Sequence, residues 1–125
     1  MEKHVAQMIG IPIYDAETEE PWNETVTQEA FRLVHGERGD TYSHPLDDFG
    51  RTAGVLNSLF HHKLKAPLTE EDVAIFMVAV KLSRLMNSPD HRDSVVDVAG
   101  YAECYQMVRE ERERRAAALG GNVYG

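Results

Sequence analysis

Eight consecutive apolar residues, Val73-Ala-Ile-Phe-Met-Val-Ala-Val80, follow a threonine and three acids, Thr69-Glu-Glu-Asp72. A hydroxyl residue followed by an acid three positions on is the local signature of a capped helix start, and acids in a first turn oppose the positive end of the helix dipole. The run beyond them is apolar on every side, which predicts the central, buried helix of the fold. It falls far short of the ~20 residues that cross a bilayer. Such a helix must be wrapped by others, so the remaining chain is read for its partners.

Those partners are helical. Phe49, Ala53, Leu56, Leu59 and Phe60 recur at three- and four-residue steps, predicting a helix from Asp47 or Asp48 to about His62. A shorter one runs from Thr27, an N-cap residue type, to His35, with Gly36 as its stop. A last helix runs from about Asp93 to Leu119, with Val95, Val98, Ala102 and Tyr105 as its core stripe. From Arg109 its charges alternate, and Glu110–Arg114 and Glu111–Arg115 are spaced as i,i+4 pairs, so this end reads as a solvated extension that Gly120-Gly121 stops. No alternating strand pattern exceeds a few residues. The expected fold is all-α, a helical bundle of about four helices over residues 27–119, with a short tail at 120–125.

Residues 1–26 lack sustained periodicity and carry Pro12, Pro21 and an acidic patch from Glu17 to Glu20. They read as an irregular N-terminal arm. Its apolar points, Met8-Ile9, Ile11, Ile13-Tyr14 and Trp22, predict packing on its own domain or on a neighbouring subunit, which favours a homo-oligomer.

At 125 residues the chain makes one domain with one core. Its formal charge of −8 argues against non-specific nucleic-acid binding and against anionic membranes, both of which need a basic face. Cys104 is the only cysteine, which leaves no intrachain disulfide and no cysteine-type zinc cluster. The first ten residues lack the basic-then-apolar order of a signal peptide, so a cytoplasmic protein is expected.

Chemistry-bearing residues gather around the turn between the last two helices. Lys81-Leu-Ser-Arg84 closes one helix, and His91-Arg-Asp-Ser-Val-Val-Asp-Val-Ala-Gly-Tyr101 opens the next. Asp93, Asp97 and Tyr101 share one stripe at four-residue steps. An antiparallel hairpin turning at 88–92 would place Arg84 level with Asp97 and Lys81 level with Tyr101. In one reading Arg84 and Asp97 form only an ion pair that sets the hairpin register. In the other, the polar loop Gly36–Pro45 folds over the hairpin and completes a ligand site. Arg38, Lys81, Arg84 and His91 would then grip phosphate oxygens, with Asp40, Tyr42, His44 and Tyr101 beside them. Asp93 and Asp97 would hold Mg²⁺, a hard cation that takes oxygen ligands, with Asp40 as a third candidate. Gly100 costs ~1 kcal/mol relative to Ala inside a helix, which a close approach at that point would justify.

Other candidates are weaker. His61 and His62 point about 100° apart on a helix and suit a solvated face better than a shared metal. Cys104 reads as a structural thiol. No nucleophile elbow and no phosphate-cradling glycine-rich loop occurs.

The ordered set Gly39-Asp-Thr-Tyr-Ser-His-Pro-Leu-Asp-Asp-Phe49, Glu71-Asp-Val-Ala74, Lys81-Leu-Ser-Arg84 and His91–Tyr101 resembles a small domain-of-unknown-function family. That family occurs mainly in tailed phages and prophages, notably those of actinobacteria. The resemblance covers about residues 27–108 and implies a phage accessory protein, located in the cytoplasm of an infected cell. It carries no activity with it. More distantly, the chain is similar to the all-α MazG-like nucleotide pyrophosphohydrolases, whose Mg²⁺ sits on Glu-Glu-x-x-Glu and Glu-x-x-Asp motifs. Asp93-Ser-Val-Val-Asp97 is a loose analogue of the second motif. The first is interrupted, because Ala74 or Ile75 stands where its third acid belongs.

Three functions therefore stand as expectations. The first is a nucleotide or other phosphorylated small molecule bound at the Lys/Arg/Asp hairpin. The others are MazG-like Mg²⁺-dependent hydrolysis and a structural or host-interacting helical oligomer.

Overall fold

A computed structural model describes residues 13–14, 21–22, 24–36 and 43–124, with side chains over 24–36 and 43–120. Within the arm, β1 (Ile13–Tyr14) pairs antiparallel with β2 (Pro21–Trp22), Ile13 opposite Trp22. Four helices follow: α1 (Val26–His35), α2 (Pro45–Phe60), α3 (Glu70–Asn87) and α4 (Arg92–Tyr124). A short 3₁₀ turn, His61–Lys63, prolongs α2. The fold is an all-α bundle.

Local chemistry sets the helix starts. Thr25 caps α1 through a reciprocal box with Gln28, two residues earlier than Thr27. Pro45 occupies the first turn of α2, where its missing N–H is no loss. Thr69 and Asp72 form the expected capping box of α3. Between α2 and α3, the Asn57 side chain accepts from Leu68 N–H at 2.7 Å and donates to Leu68 C=O at 3.0 Å. That two-way bond fixes the connecting loop against α2.

The central helix is α4, not α3. Among the described helices, α1, α2 and α3 all pack on α4. The core joins Val34 of α1, Phe49 and Ala53 of α2, Val73 and Ala74 of α3, and Cys104 and Val108 of α4. The valines and Phe49 among them contribute ~1.5–3 kcal/mol each when fully buried, the alanines less. In α3 only Val73 and Ala74 are buried, while Ile75, Phe76, Leu82 and Met86 are exposed. An all-round apolar run identifies a helix that must be covered, but α2 and α4 approach α3 from one side and leave the other open.

The α4 stripe is also rotated from its expected position. Val96, Gly100, Cys104 and Val108 face inward at four-residue spacing, whereas Val95 and Ala102 are exposed. Small and weakly polar residues line the inner face, where close helix packing takes them, so hydropathy alone selects the wrong edge. Gly120-Gly121 does not end the helix, which continues to Tyr124. A helical glycine costs ~1 kcal/mol without breaking the hydrogen-bond ladder.

Candidate functional site

At the α3–α4 hairpin, Lys81 and Asp97 meet. Lys81 Nζ lies 3.0 Å from Asp97 Oδ2, and the Lys81 side chain is only 13 % exposed. Lys81, rather than Arg84, is thus opposite Asp97, and the register differs by three residues from the expected one. The Arg84 side chain is exposed and makes no ion pair among the described residues. His91 turns back onto its own helix, its Nδ1 2.7 Å from the buried Ser94 Oγ. Tyr101 packs against the core, its ring centroid 6.2 Å from that of Phe49. Asp93 is exposed in the first turn of α4, where its charge favours the helix dipole.

Lys81 and His91 thus have separate partners, and Arg84 shares neither. Arg92, beside them, bridges to α1, donating to Glu29 Oε2 and to Glu24 C=O, each at 2.7 Å. Of the metal ligands expected at Asp93 and Asp97, Asp97 is paired with Lys81. Among the described residues no group of three or more His, Cys, Asp or Glu side chains surrounds a common point. The acids that open α3 face arginines: Arg112 donates to Glu71 at 2.6 Å from both of its terminal nitrogens and to Glu70 at 3.0 Å. This contact, with burial opposing it, holds the Glu71 carboxyl below its usual range.

A different cleft draws polar residues together. The end of α1 and the start of α2 enclose about 240 Å³, with His35, Ser43, His44 and Asp48 on its walls and Phe49 and Met107 among its apolar lining. His35 Nε2 donates to Glu103 Oε2 at 2.6 Å, and its ring stacks near Phe31 with centroids 4.3 Å apart. His44 is the N-cap of α2, its Nδ1 accepting from Leu46 N–H at 3.0 Å. An accepting Nδ1 leaves the proton of a neutral imidazole on Nε2, so His44 retains a donor for another group. Arg51 donates to Ser43 Oγ at 2.7 Å and also approaches Asp48.

Of the loop residues expected to complete the site, His44 lies in this cleft, while Arg38, Asp40 and Tyr42 fall outside the described residues. The structure does not join His44 to the Lys81–Asp97 pair through any described contact. Sequence reading missed His35, Glu103, Asp48 and Arg51. Their only signal was proximity to the polar loop for three of them, whereas Glu103 arrives from 68 positions away.

The reach of α4 was also missed. Arg115 forms a two-point pair with Asp47 at 2.8 Å and bonds Glu111 at the same distance. Glu111, held by Arg114 and Arg115, is lowered to about 2, and Asp47 is lowered by Arg115. The expected Glu111–Arg115 pair forms, while Glu110 accepts from Gln106 instead of meeting Arg114. The α4 segment through Arg115 is thus docked on α2 and α3 rather than wholly solvated.

The fold and cleft define a small helical domain with one central helix and a mixed polar and aromatic recess. Residues 25–109 match the model of a domain-of-unknown-function family, DUF6378, and the chain belongs to that family. It is 39 % identical over 89 residues to the Gene 55 protein of Mycobacterium phage D29, covering 71 % of this chain and 56 % of that protein. To the Gene 55 protein of Mycobacterium phage L5 it is 34 % identical over 86 residues, 66 % of this chain and 53 % of that protein. The chain spans about half the length of these curated relatives. No solved structure matches it. No described helix is long and apolar enough to cross a membrane.

Proposed function

We propose that this chain is a phage accessory domain that binds a nucleotide or similar phosphorylated small molecule in the α1–α2 cleft. One observation carries the reading: His35 and Ser43, which bracket the polar segment holding Arg38, Asp40 and Tyr42, both line the same recess. His35 and His44 offer flat surfaces to a base, and Asp48 offers an acceptor. His44 Nε2–H and the exposed Arg51 are donors suited to phosphate oxygens. The volume is slightly below the ~300 Å³ lower end of small-ligand pockets, which suits a compact ligand.

The test is a thermal-shift and calorimetric screen of the full chain against nucleotides, cyclic nucleotides and pyrophosphate, with Mg²⁺, Mn²⁺ or chelator. A ligand at 100 times its Kd adds ~2.7 kcal/mol to stability, a readable shift for a domain of this size. His44→Asn keeps an N-cap residue type while deleting the imidazole. Combined with Arg38→Ala it should abolish binding, and the pair Lys81→Ala with Arg84→Ala should leave binding intact. The converse pattern would return the ligand to the hairpin, and a flat screen would reject both sites.

The MazG-like reading is the poorer fit. It needs clustered acids, whereas Glu70 and Glu71 are bound by Arg112, and Asp97 by Lys81. Its signature would be pyrophosphate released from a nucleoside triphosphate and lost on Asp97→Asn.

A further inference from the structure

The open side of α3 carries an ordered seam. Ile75, Ala79, Leu82 and Met86 are exposed and spaced by four, three and four residues. At 100° per residue these four positions fall within about 60° of one another, on the side opposite Val73, Met77 and Lys81. This is the spacing by which one helix presents knobs to another, and the small Ala79 leaves a hollow between the larger ones. Phe76, 54 % exposed, and Ser83 flank the seam on one edge. The seam positions themselves carry no charge, and the single ionisable residue between Val73 and Ser83, Lys81, is turned inward onto Asp97. On a chain of net charge −8, this stripe is where two copies can approach without juxtaposing like charges.

We propose that this seam is a self-association surface, in which α3 of one chain packs antiparallel on α3 of a second copy. The spacing is palindromic, and that symmetry selects the occupant. Around a two-fold axis midway between Val80 and Lys81, Ile75 meets Met86 of the second copy, and Leu82 fills the hollow over its Ala79. Phe76 then lies near the small Ser83 of the second copy, so that large meets small at both places. A two-fold interface must use the same patch on both chains, and this seam is its own complement in the reversed direction.

The area agrees. Ile75 is 56 % exposed, Leu82 49 % and Met86 89 %. With Phe76 and the small contribution of Ala79, the exposed side of the seam amounts to roughly 500 Å² per chain, about the apolar share of the ~800 Å² that each partner buries in a standard interface. An apolar patch of that size is at the upper end of what a solitary protein exposes. This surface lies on α3, apart from the α1–α2 cleft, and does not depend on the ligand reading.

The test begins with sedimentation velocity of the full chain at micromolar concentration. A species of twice the 14.1 kDa chain mass is expected. Leu82→Glu places two carboxylates in the seam and should shift that species to monomer, with an unchanged helical circular dichroism spectrum. Leu59→Glu, at an exposed apolar position on α2, should leave the dimer unchanged. The direction is read by mixing an Ala79→Cys chain with a Leu82→Cys chain under mild oxidation, since Cys104 is buried and does not compete. Antiparallel pairing gives mainly the mixed disulfide between the two variants. Predominance of disulfides between like variants would overturn the antiparallel register. A monomeric wild-type chain, or a dimer indifferent to Leu82→Glu, would overturn the surface itself.

Discussion

At the residue scale two glycines show how the same residue type serves opposite ends. Gly36 closes α1, and a Cβ built there would lie 2.5 Å from the Arg32 carbonyl oxygen. That oxygen belongs to the backbone and already accepts the Gly36 N–H at 2.8 Å, so it has little room to yield. Gly54 sits in the middle of α2, and a Cβ there would find nothing within 4 Å. Gly36→Ala should therefore cost about 1–2 kcal/mol, because the native backbone cannot take the methyl without shifting. Gly54→Ala should add ~0.5–1 kcal/mol by removing unfolded-state freedom and restoring helix propensity. Thermal or urea unfolding of the two variants checks both signs at once. Gly100 lies between these cases: a Cβ would meet Val34 Cγ2 at 3.5 Å, ordinary contact, so the close approach expected from sequence is real but not prohibitive. The candidate site was legible at this scale only in part. The polar loop and His44 stood out because Gly, Pro and titratable residues crowd one short segment, whereas Glu103 and the true partner of Asp97 are fixed by helix register, to which residue type is blind.

At the scale of the elements, starts were easier to read than faces. The Thr69–Asp72 capping box is a four-residue signal complete in itself, and α3 begins where that signal places it. The face of α3 that becomes buried depends on where α2 and α4 arrive, which eight uniformly apolar residues do not encode. The outer half of α4 misled for the opposite reason. Its alternating charges satisfy an i,i+4 reading, yet Arg112 and Arg115 direct their guanidinium groups to Glu70, Glu71 and Asp47 of other helices. That clamp has a pH signature. The folded Glu71 carboxyl titrates below its ordinary value of 4.5, so its contribution is complete above that value and disappears as pH falls through the folded value. Replacing Arg112 by Met removes the largest cause of that shift and leaves the smaller one from Arg109, 3.6 Å from Glu71. The variant should lose about 1 kcal/mol near neutral pH, the size of a well-formed, partly exposed pair. Its stability should then fall less steeply than wild type as pH drops below 4.5, and urea midpoints measured from neutral to acid pH distinguish the two slopes. Parallel slopes would mean that the clamp adds nothing measurable.

At the scale of the whole molecule, α4 acts as the shaft on which the other helices are mounted, and the question is how much of it the domain needs. Val108 is its last fully buried side chain, at 0 % exposure. Arg112 and Arg115 carry the outermost described ion pairs to other helices, and Ala116 to Leu119 are exposed. Beyond Arg115 no described ion pair ties α4 to another helix, and Gly120-Gly121 weakens the local helix propensity. A chain ending at Ala116 should thus lose helical signal in circular dichroism while its melting temperature moves by no more than about 2 °C, since every described ion pair between α4 and the other helices stays in place. A chain ending at Arg109 keeps Val108 but loses both arginine clamps, and it should melt measurably lower than the chain ending at Ala116. A large drop already at Ala116 would instead mean that the outer turns of α4 bear on the rest of the molecule.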